Sequence, residues 1–266
     1  MKLGGIAHLL EYDLRNFFRY KWWIAGMISM NLADLIVMAV VYTNMISPTV
    51  AGKYLSYFLF FSPGITITAL FAAAFMIGRE INREFRRSLS HYLLSLPFSR
   101  RELAFGRVLS GGVRGMVYMA PLLATTTFVT WFFTGKLPSP LEMLLVVFAL
   151  FLVSIGTSGL SITIALSTKS FEKFVTARGV IYYVLFFCSS VFYPLDFIRQ
   201  LGRDGTLPQP LVFIAEINPL SSGADITRSF LLGYPSFSPL MLLNVALFAA
   251  IFVLTATFAY LKIVQE

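Results

Sequence analysis

The sequence is short of charge, histidine and cysteine, and each shortage removes a class of function. Acidic and basic residues together make up 13% of the 266 residues, against 57% hydrophobic residues. That is too little charge to solvate a soluble domain of this length, so a bilayer is the expected medium. The two histidines, His8 and His91, and the single cysteine, Cys188, lie far apart. They form no recognisable metal-ligand set and allow no intrachain disulfide. A phosphate-cradling loop is also missing: Gly135-Lys136 runs into Leu137 and lacks the upstream glycine, so the chain is not expected to hydrolyse ATP or to carry a cofactor, and no catalytic residues are assigned. The N-terminus lacks the compact order of a cleavable signal and reads as mature sequence. No internal repeat or low-complexity tract divides the chain, and one membrane domain, 1–266, is expected.

What the sequence has in abundance is long apolar runs. A hydrocarbon core of about 30 Å needs roughly 20 helical residues. Runs near 22–47, 55–77, 108–133, 141–166 and 239–261 meet that need. A sixth, from Gly179 to Tyr193, is shorter and stops at Pro194, with Phe174 to Ala177 able to extend it if Arg178 snorkels or faces protein. The fold expected is therefore an all-α, polytopic membrane protein with six transmembrane helices. The net charge of +8 belongs to topology and not to nucleic acid, because the basic residues flank apolar spans. A cytoplasmic N-terminus leaves only Lys53, Lys136, Arg199, Arg203 and Arg228, of 21 basic residues, on the far side. Positive charge thus places both termini in the cytoplasm of a multi-pass cell-membrane protein. Residues 1–21 interleave Leu9, Tyr12, Phe17 and Phe18 with Glu11, Asp13, Arg15 and Arg19 and read as a cytoplasmic interfacial helix, either a simple anchor or a gating element.

The largest polar island before the late segment runs from Gly78 to Arg107. It contains Arg79, Arg83, Arg86, Arg87, Arg100, Arg101 and Arg107 against Glu80, Glu84 and Glu102. Pro97 interrupts the helical pattern, and Ser99-Arg100-Arg101-Glu102 restarts it as a capping box. The expectation is helix, sharp break, helix, with the second helix in line with the third span. An ordinary positive-inside loop and a docking surface both fit the charge alone.

The order of short motifs resembles the membrane subunits of type-2 ABC transporters, the group of drug, nodulation-factor and polysaccharide exporters. The residues that carry the likeness are Arg79-Glu80, then Leu93 to Arg100, then Gly106-Arg107 entering a span. Late in the chain they are Phe192-Tyr193-Pro194-Leu195 and Asn218-Pro219-Leu220 with Asp225 and Arg228. The resemblance implies that the cytoplasmic segment 78–107 holds a coupling helix. Ser95, Leu96, Pro97, Phe98, Ser99, Arg100, Arg101 and Glu102 would then contact a separate ATPase subunit, with Arg79 and Glu80 as a polar pair at the membrane exit. It also implies short external or re-entrant helices over 195–233. The implied partners are two ABC ATP-binding subunits, which would bind ATP and Mg, a second permease copy or homologue, and membrane lipids. The implied activity is export of an amphipathic, drug-like or lipid-linked substrate. The polar Gly202-Arg203-Asp204-Gly205 stretch departs from the family pattern and reads as an exposed turn.

Three further constellations leave alternatives open. Gly156-Thr157-Ser158-Gly159 matches the nucleophile motif of rhomboid intramembrane proteases but lacks a nearby histidine base; the other reading is close helix packing, as for Gly111 and Gly115. Asp34 sits within the first span, where an ionised carboxylate costs at least about 2.5 kcal/mol. It is a candidate for the translocation path or a dimer contact, or else a partner of Asn31 or a neighbouring hydroxyl. An ion- or proton-coupled secondary transporter is the alternative that Asp34 suggests, although such carriers repeat their broken spans in matching halves. Aromatic residues of the fifth span, among them Tyr182 and Phe186, and Met27, Met30 and Met38 of the first suit either a bulky substrate or ordinary packing.

Overall fold

The computed structural model describes residues 3–45, 57–86, 99–168, 170–234 and 237–263. Among them the regular structure is all helical. The order is α1 (Leu3–Arg19), α2 (Lys21–Met45), α3 (Tyr57–Phe75), α4 (Ile77–Arg86), α5 (Arg100–Thr134), α6 (Pro140–Ser167), α7 (Phe171–Phe187), α8 (Leu195–Arg203), α9 (Gln209–Ile217), α10 (Pro219–Leu232) and α11 (Pro239–Ile263). Four stretches are long and apolar enough to cross a membrane: Tyr57–Arg86, Arg100–Thr134, Pro140–Ser167 and Pro239–Lys262. They occupy the second, third, fourth and last predicted crossings. The first is taken by α2, whose 25 residues reach about 37 Å at 1.5 Å per residue.

The centre of the bundle is α3, where every residue except Phe58 and Ala72 is buried. It packs against α2, α5, α6 and α10. Pro63 lies inside this helix and removes an N–H from the ladder. The Ser62 hydroxyl donates to the Leu59 carbonyl at 3.3 Å, the acceptor that Pro63 leaves without its helical donor. A single-residue break at Met76 separates α3 from α4, and Arg79 N–H to Met76 O at 3.0 Å restarts the ladder.

Small residues set the remaining spacing. Ser154 Oγ donates to Gly112 O at 2.7 Å and Ser158 Oγ to Val108 O at 2.8 Å. A Cβ on Gly111 or Gly115 of α5 would collide with the Ser158 and Ser154 hydroxyls. On the opposite face of α6, Gly159 lets the α11 backbone approach, since a Cβ there would stand 2.5 Å from Phe252 O. The Gly156 to Gly159 motif is therefore a two-sided packing seam, its serine already bonded. His8 is exposed on α1, and His91 lies outside the described residues.

The fifth predicted crossing differs in length. The apolar pattern continues to Tyr193, but α7 ends at Phe187 after 17 residues. The chain then turns through Ser189 and Ser190, both buried. The turn persists because other side chains satisfy its backbone: Ser221 Oγ accepts from Ser190 N–H at 2.9 Å, and Arg228 Nη2 donates to Val191 O at 3.1 Å.

Over 195–233 the pieces behave differently from one another. α8 and α9 form a hairpin with a small core of Ile198, Val212 and Ala215, closed by Arg199 and Glu216 at 2.7 Å. The exposed turn expected at 202–205 is present at Asp204-Gly205, where Gly205 has φ +71°; Gly202 is buried against Val212. By contrast α10 is almost wholly buried and packs against α3, α6 and α11.

Candidate functional site

The helices that bracket residues 87–98 are joined by buried charge. Asp13 of α1, Glu80 and Glu84 of α4, and Arg107 and Arg114 of α5 converge on one locus. Arg107 Nη1 donates to Asp13 Oδ1 at 2.8 Å, while Nη2 reaches both Glu84 oxygens at 2.9 and 2.8 Å. Arg114 Nη1 donates to Glu80 Oε2 at 2.7 Å, Nη2 donates to Asp13 O at 3.1 Å, and the guanidinium lies 5.6 Å from the Phe17 ring centroid. Asp13, Arg107 and Arg114 are 1%, 2% and 3% exposed, so the Asp13–Arg107 pair is shielded from water and salt, while Glu84 and Glu80 lie nearer the rim. Helical spacing explains the convergence. Glu80 and Glu84 are one turn apart on α4, and Arg107 and Arg114 two turns apart on α5.

The start of α5 is built locally. Ser99 is extended at φ −69° and ψ 148°; its hydroxyl accepts from Glu102 N–H at 3.3 Å, and Glu102 Oε2 accepts from Ser99 N–H at 3.0 Å. This is the predicted capping box. From that cap α5 runs through Thr134 as one helix of 35 residues, so the segment after Pro97 and the third span are one element. Arg100 and Arg101 project outward from its first turn, while Glu102 is buried. Ser95, Leu96, Pro97 and Phe98 lie outside the described residues. Arg79 and Glu80 are adjacent in sequence but face different neighbours: Glu80 turns inward to Arg114, and Arg79 is exposed.

A second cluster joins the far ends of α3, α7 and α10. Arg228 is fully buried. Its Nε donates to Phe60 O at 3.0 Å, Nη1 to Asp225 Oδ1 at 2.7 Å and Nη2 to Val191 O, and its plane covers the Phe60 ring at 3.8 Å. Burial pushes the Asp225 carboxyl above its ordinary range, and the Arg228 guanidinium and Ser190 hydroxyl oppose that shift. Asn218 caps α10 by accepting from Leu220 N–H at 3.0 Å. Its amide also donates to Leu185 O at 2.8 Å and Cys188 O at 2.7 Å, closing the end of α7. Tyr57 donates to Phe192 O at 3.1 Å. The late motifs around Phe192, Asn218, Asp225 and Arg228 thus form one knot.

Between α2, α3, α5 and α7 lies a cavity of ≈ 160 Å³ lined by Trp23, Met27, Met76, Tyr118, Arg178 and Tyr182, among others. Arg178 faces protein: it covers the Phe75 ring at 5.3 Å and approaches Met76 Sδ at 3.7 Å. Its Nε is buried without a hydrogen-bond partner among the described residues. Asn31 donates to Met27 O at 2.8 Å and to the Tyr118 hydroxyl at 3.0 Å. Those bonds use its amide, and Asp34, half-buried three residues on, is not its partner. Met27, Asn31 and Asp34 recur at helical spacing, so Asp34 shares the face of α2 that meets α5.

Sequence reasoning missed the ion cluster, although two signals were present. Asp13 stands four residues from both Leu9 and Phe17 and so falls on the apolar stripe of α1, and Arg114 interrupts the apolar run of the third span. Each is an ionisable residue where only a partner makes burial tolerable.

Apolar helices, a buried central span and charge paired inside the bundle define an all-α polytopic membrane protein. The chain belongs to the ABC-2 type transporter family, whose model matches residues 6–232. A comparison with curated proteins found no match. The matched region runs from α1 through the end of α10 and includes both charge clusters. A domain of this family is the membrane subunit of an ABC transporter, works with ABC ATP-binding subunits and is not itself catalytic.

Proposed function

We propose that the chain is the translocating subunit of an ATP-driven exporter of an amphipathic, drug-like or lipid-linked substrate. It acts as a single permease domain in the cell membrane with both termini cytoplasmic, paired with a second copy or a homologous permease. Two ABC ATP-binding subunits would bind ATP and Mg and contact Ser95 to Glu102. The observation that carries this reading is the ion cluster: α4 and α5, on either side of residues 87–98, are tied through Arg107 and Arg114 to each other and to α1. A displacement of that segment would therefore move three helices together, and α5 would carry it into the bundle. ATP binding by the partner would favour one of two bundle arrangements by its differential contact with that segment. The ≈ 160 Å³ cavity lined by Arg178, Tyr182, Trp23 and Met27 is too small for a drug-sized cargo, so the path is expected at the interface with the second permease copy.

The test is disruption of the segment tip. Leu96→Ala with Phe98→Ala is expected to lower co-purification with the ATPase or to uncouple hydrolysis from transport. Unchanged partner binding together with unchanged transport in the reconstituted complex would overturn the contact assignment. For orientation, His91→Cys in a Cys188→Ser background is expected to resist membrane-impermeant thiol reagents added to intact cells.

A further inference from the structure

An open cavity of ≈ 1040 Å³ lies between the end of α4, the end of α6 and the last turns of α11. Arg86, the final residue of α4, and Lys262, near the end of α11, both line it. Among the described residues none that lines it is acidic, and neither cation forms an ion pair. The carbonyls that close α6 are already partly occupied. Thr168 Oγ1 donates to Ile164 O at 2.9 Å, and Asn82 Nδ2 donates to Ala165 O at 3.3 Å. The partial negative charge of that helix end is thus partly answered from within. Asn82 is 4% exposed, and its Oδ1 is a buried acceptor with no partner among the described residues. That oxygen is shielded from the groove as well as from bulk water, so the groove's polar character comes from Arg86 and Lys262.

The α11 wall has a direction. Leu254, Phe258 and Lys262 are spaced four residues apart, so they form one stripe with the cation at the helix end. Leu254 and Phe258 are 69% and 71% exposed, and Leu254 lies about 12 Å along the axis from Lys262 at 1.5 Å per residue. That is the layout of a lipid standing beside a helix, its phosphate at the interface and its acyl chain along the apolar turns beneath.

We propose that this groove binds one anionic glycerophospholipid from the adjacent leaflet. Its phosphate meets Arg86 and Lys262, and its acyl chain lies along Phe258 and Leu254. Charge complementarity selects an anionic lipid over a zwitterionic one. The proposal is independent of the exporter reading, because it requires neither an ATPase nor a transported substrate.

Native mass spectrometry of the full chain in detergent provides the test, with phosphatidylglycerol, phosphatidylcholine and soluble glycerol 3-phosphate added in separate arms. The unmodified chain is expected to retain one phosphatidylglycerol in preference to phosphatidylcholine. Arg86→Ala with Lys262→Ala is expected to weaken that retention about thirtyfold, two basic contacts at the strength typical of an anionic surface. Arg19→Ala with Arg203→Ala, which removes equal charge elsewhere on the surface, is expected to leave it unchanged. Equal retention of phosphatidylcholine, or an equal loss in the Arg19 and Arg203 control, would refute a specific lipid site. Displacement of the lipid by glycerol 3-phosphate at matched concentration would instead identify a simple anion pocket and also refute it.

Discussion

Replacing Arg107 with methionine keeps an unbranched stem in the bundle and removes the charge that holds Asp13 and Glu84. In the native arrangement Arg107 makes contacts of 2.8 Å to Asp13 and 2.8 to 2.9 Å to Glu84. Without it, the nearest guanidinium atom of Arg114 stands 3.9 Å from Asp13 Oδ1, and Asp13 is 1% exposed. Glu84 lies nearer the rim and can recruit water, so the penalty falls mainly on Asp13. Removing one partner of a buried pair costs about 3–5 kcal/mol, which lowers the folded-to-unfolded ratio by roughly two to four powers of ten. The assay is unfolding in mixed micelles by titrated sodium dodecyl sulfate, followed by far-ultraviolet circular dichroism. Asp13→Leu with Arg107→Met removes both charges and should recover most of the loss, to within about 2 kcal/mol of the parent. The double-mutant cycle should therefore give a coupling of at least about 2 kcal/mol. An Arg107→Met variant within about 1 kcal/mol of the parent, or a double variant no more stable than the sum of its singles, would refute this account of the cluster.

Two other sites give independent outcomes. Asn218→Ala removes the α10 cap and the amide that binds Leu185 O and Cys188 O, and should destabilise the chain by about 1–2 kcal/mol in the same titration. Hydrogen exchange should quicken at the end of α7 in that variant. Gly159→Ala places a methyl group 2.5 Å from the Phe252 carbonyl oxygen and should cost about 1–3 kcal/mol through overpacking. Gly179→Ala, where a Cβ meets nothing within 4 Å, should be neutral or stabilising by up to about 1 kcal/mol, read as the shift in unfolding midpoint.

The features legible in the sequence were those specified over a few neighbouring residues. Ser99 and Glu102 announce their cap because both partners lie in one helical turn, and the apolar runs announce α3, α5, α6 and α11 because bilayer thickness dictates their length. The end of α7 was not legible in this way. The aromatic pattern through Phe192 and Tyr193 continues past Phe187, and what closes the helix comes from far along the chain: Asn218 binds Leu185 O and Cys188 O, Ser221 accepts from Ser190 N–H, and Arg228, 37 residues beyond Val191, binds its carbonyl. The same holds for the ion cluster. Arg107 and Asp13 are 94 positions apart, and their pairing follows only once α1, α4 and α5 are packed. Arg228 shows the limit of charge counting most clearly. It was assigned to a face of the membrane by its sign, whereas its guanidinium lies wholly inside the protein, against Phe60 and Asp225. For such a residue, burial and partners say more than topology does.

Pro121 lies inside α5 and leaves one rung of the backbone ladder without its donor. On the Ser99 side of that position α5 is pinned sideways by Arg107 and Arg114. On the other side it is held to α3 by hydroxyls, with Thr126 Oγ1 3.1 Å from Thr66 Oγ1 and 3.3 Å from Ser62 O. A beam clamped firmly at one end, lightly at the other and weakened between them bends at the weak section. Mechanical compliance in the long helix is thereby concentrated near Pro121. Rotation of the outer arm about that joint must re-form these hydroxyl contacts and the packing of Leu122 and Leu123, while the inner arm turns only together with α1 and α4.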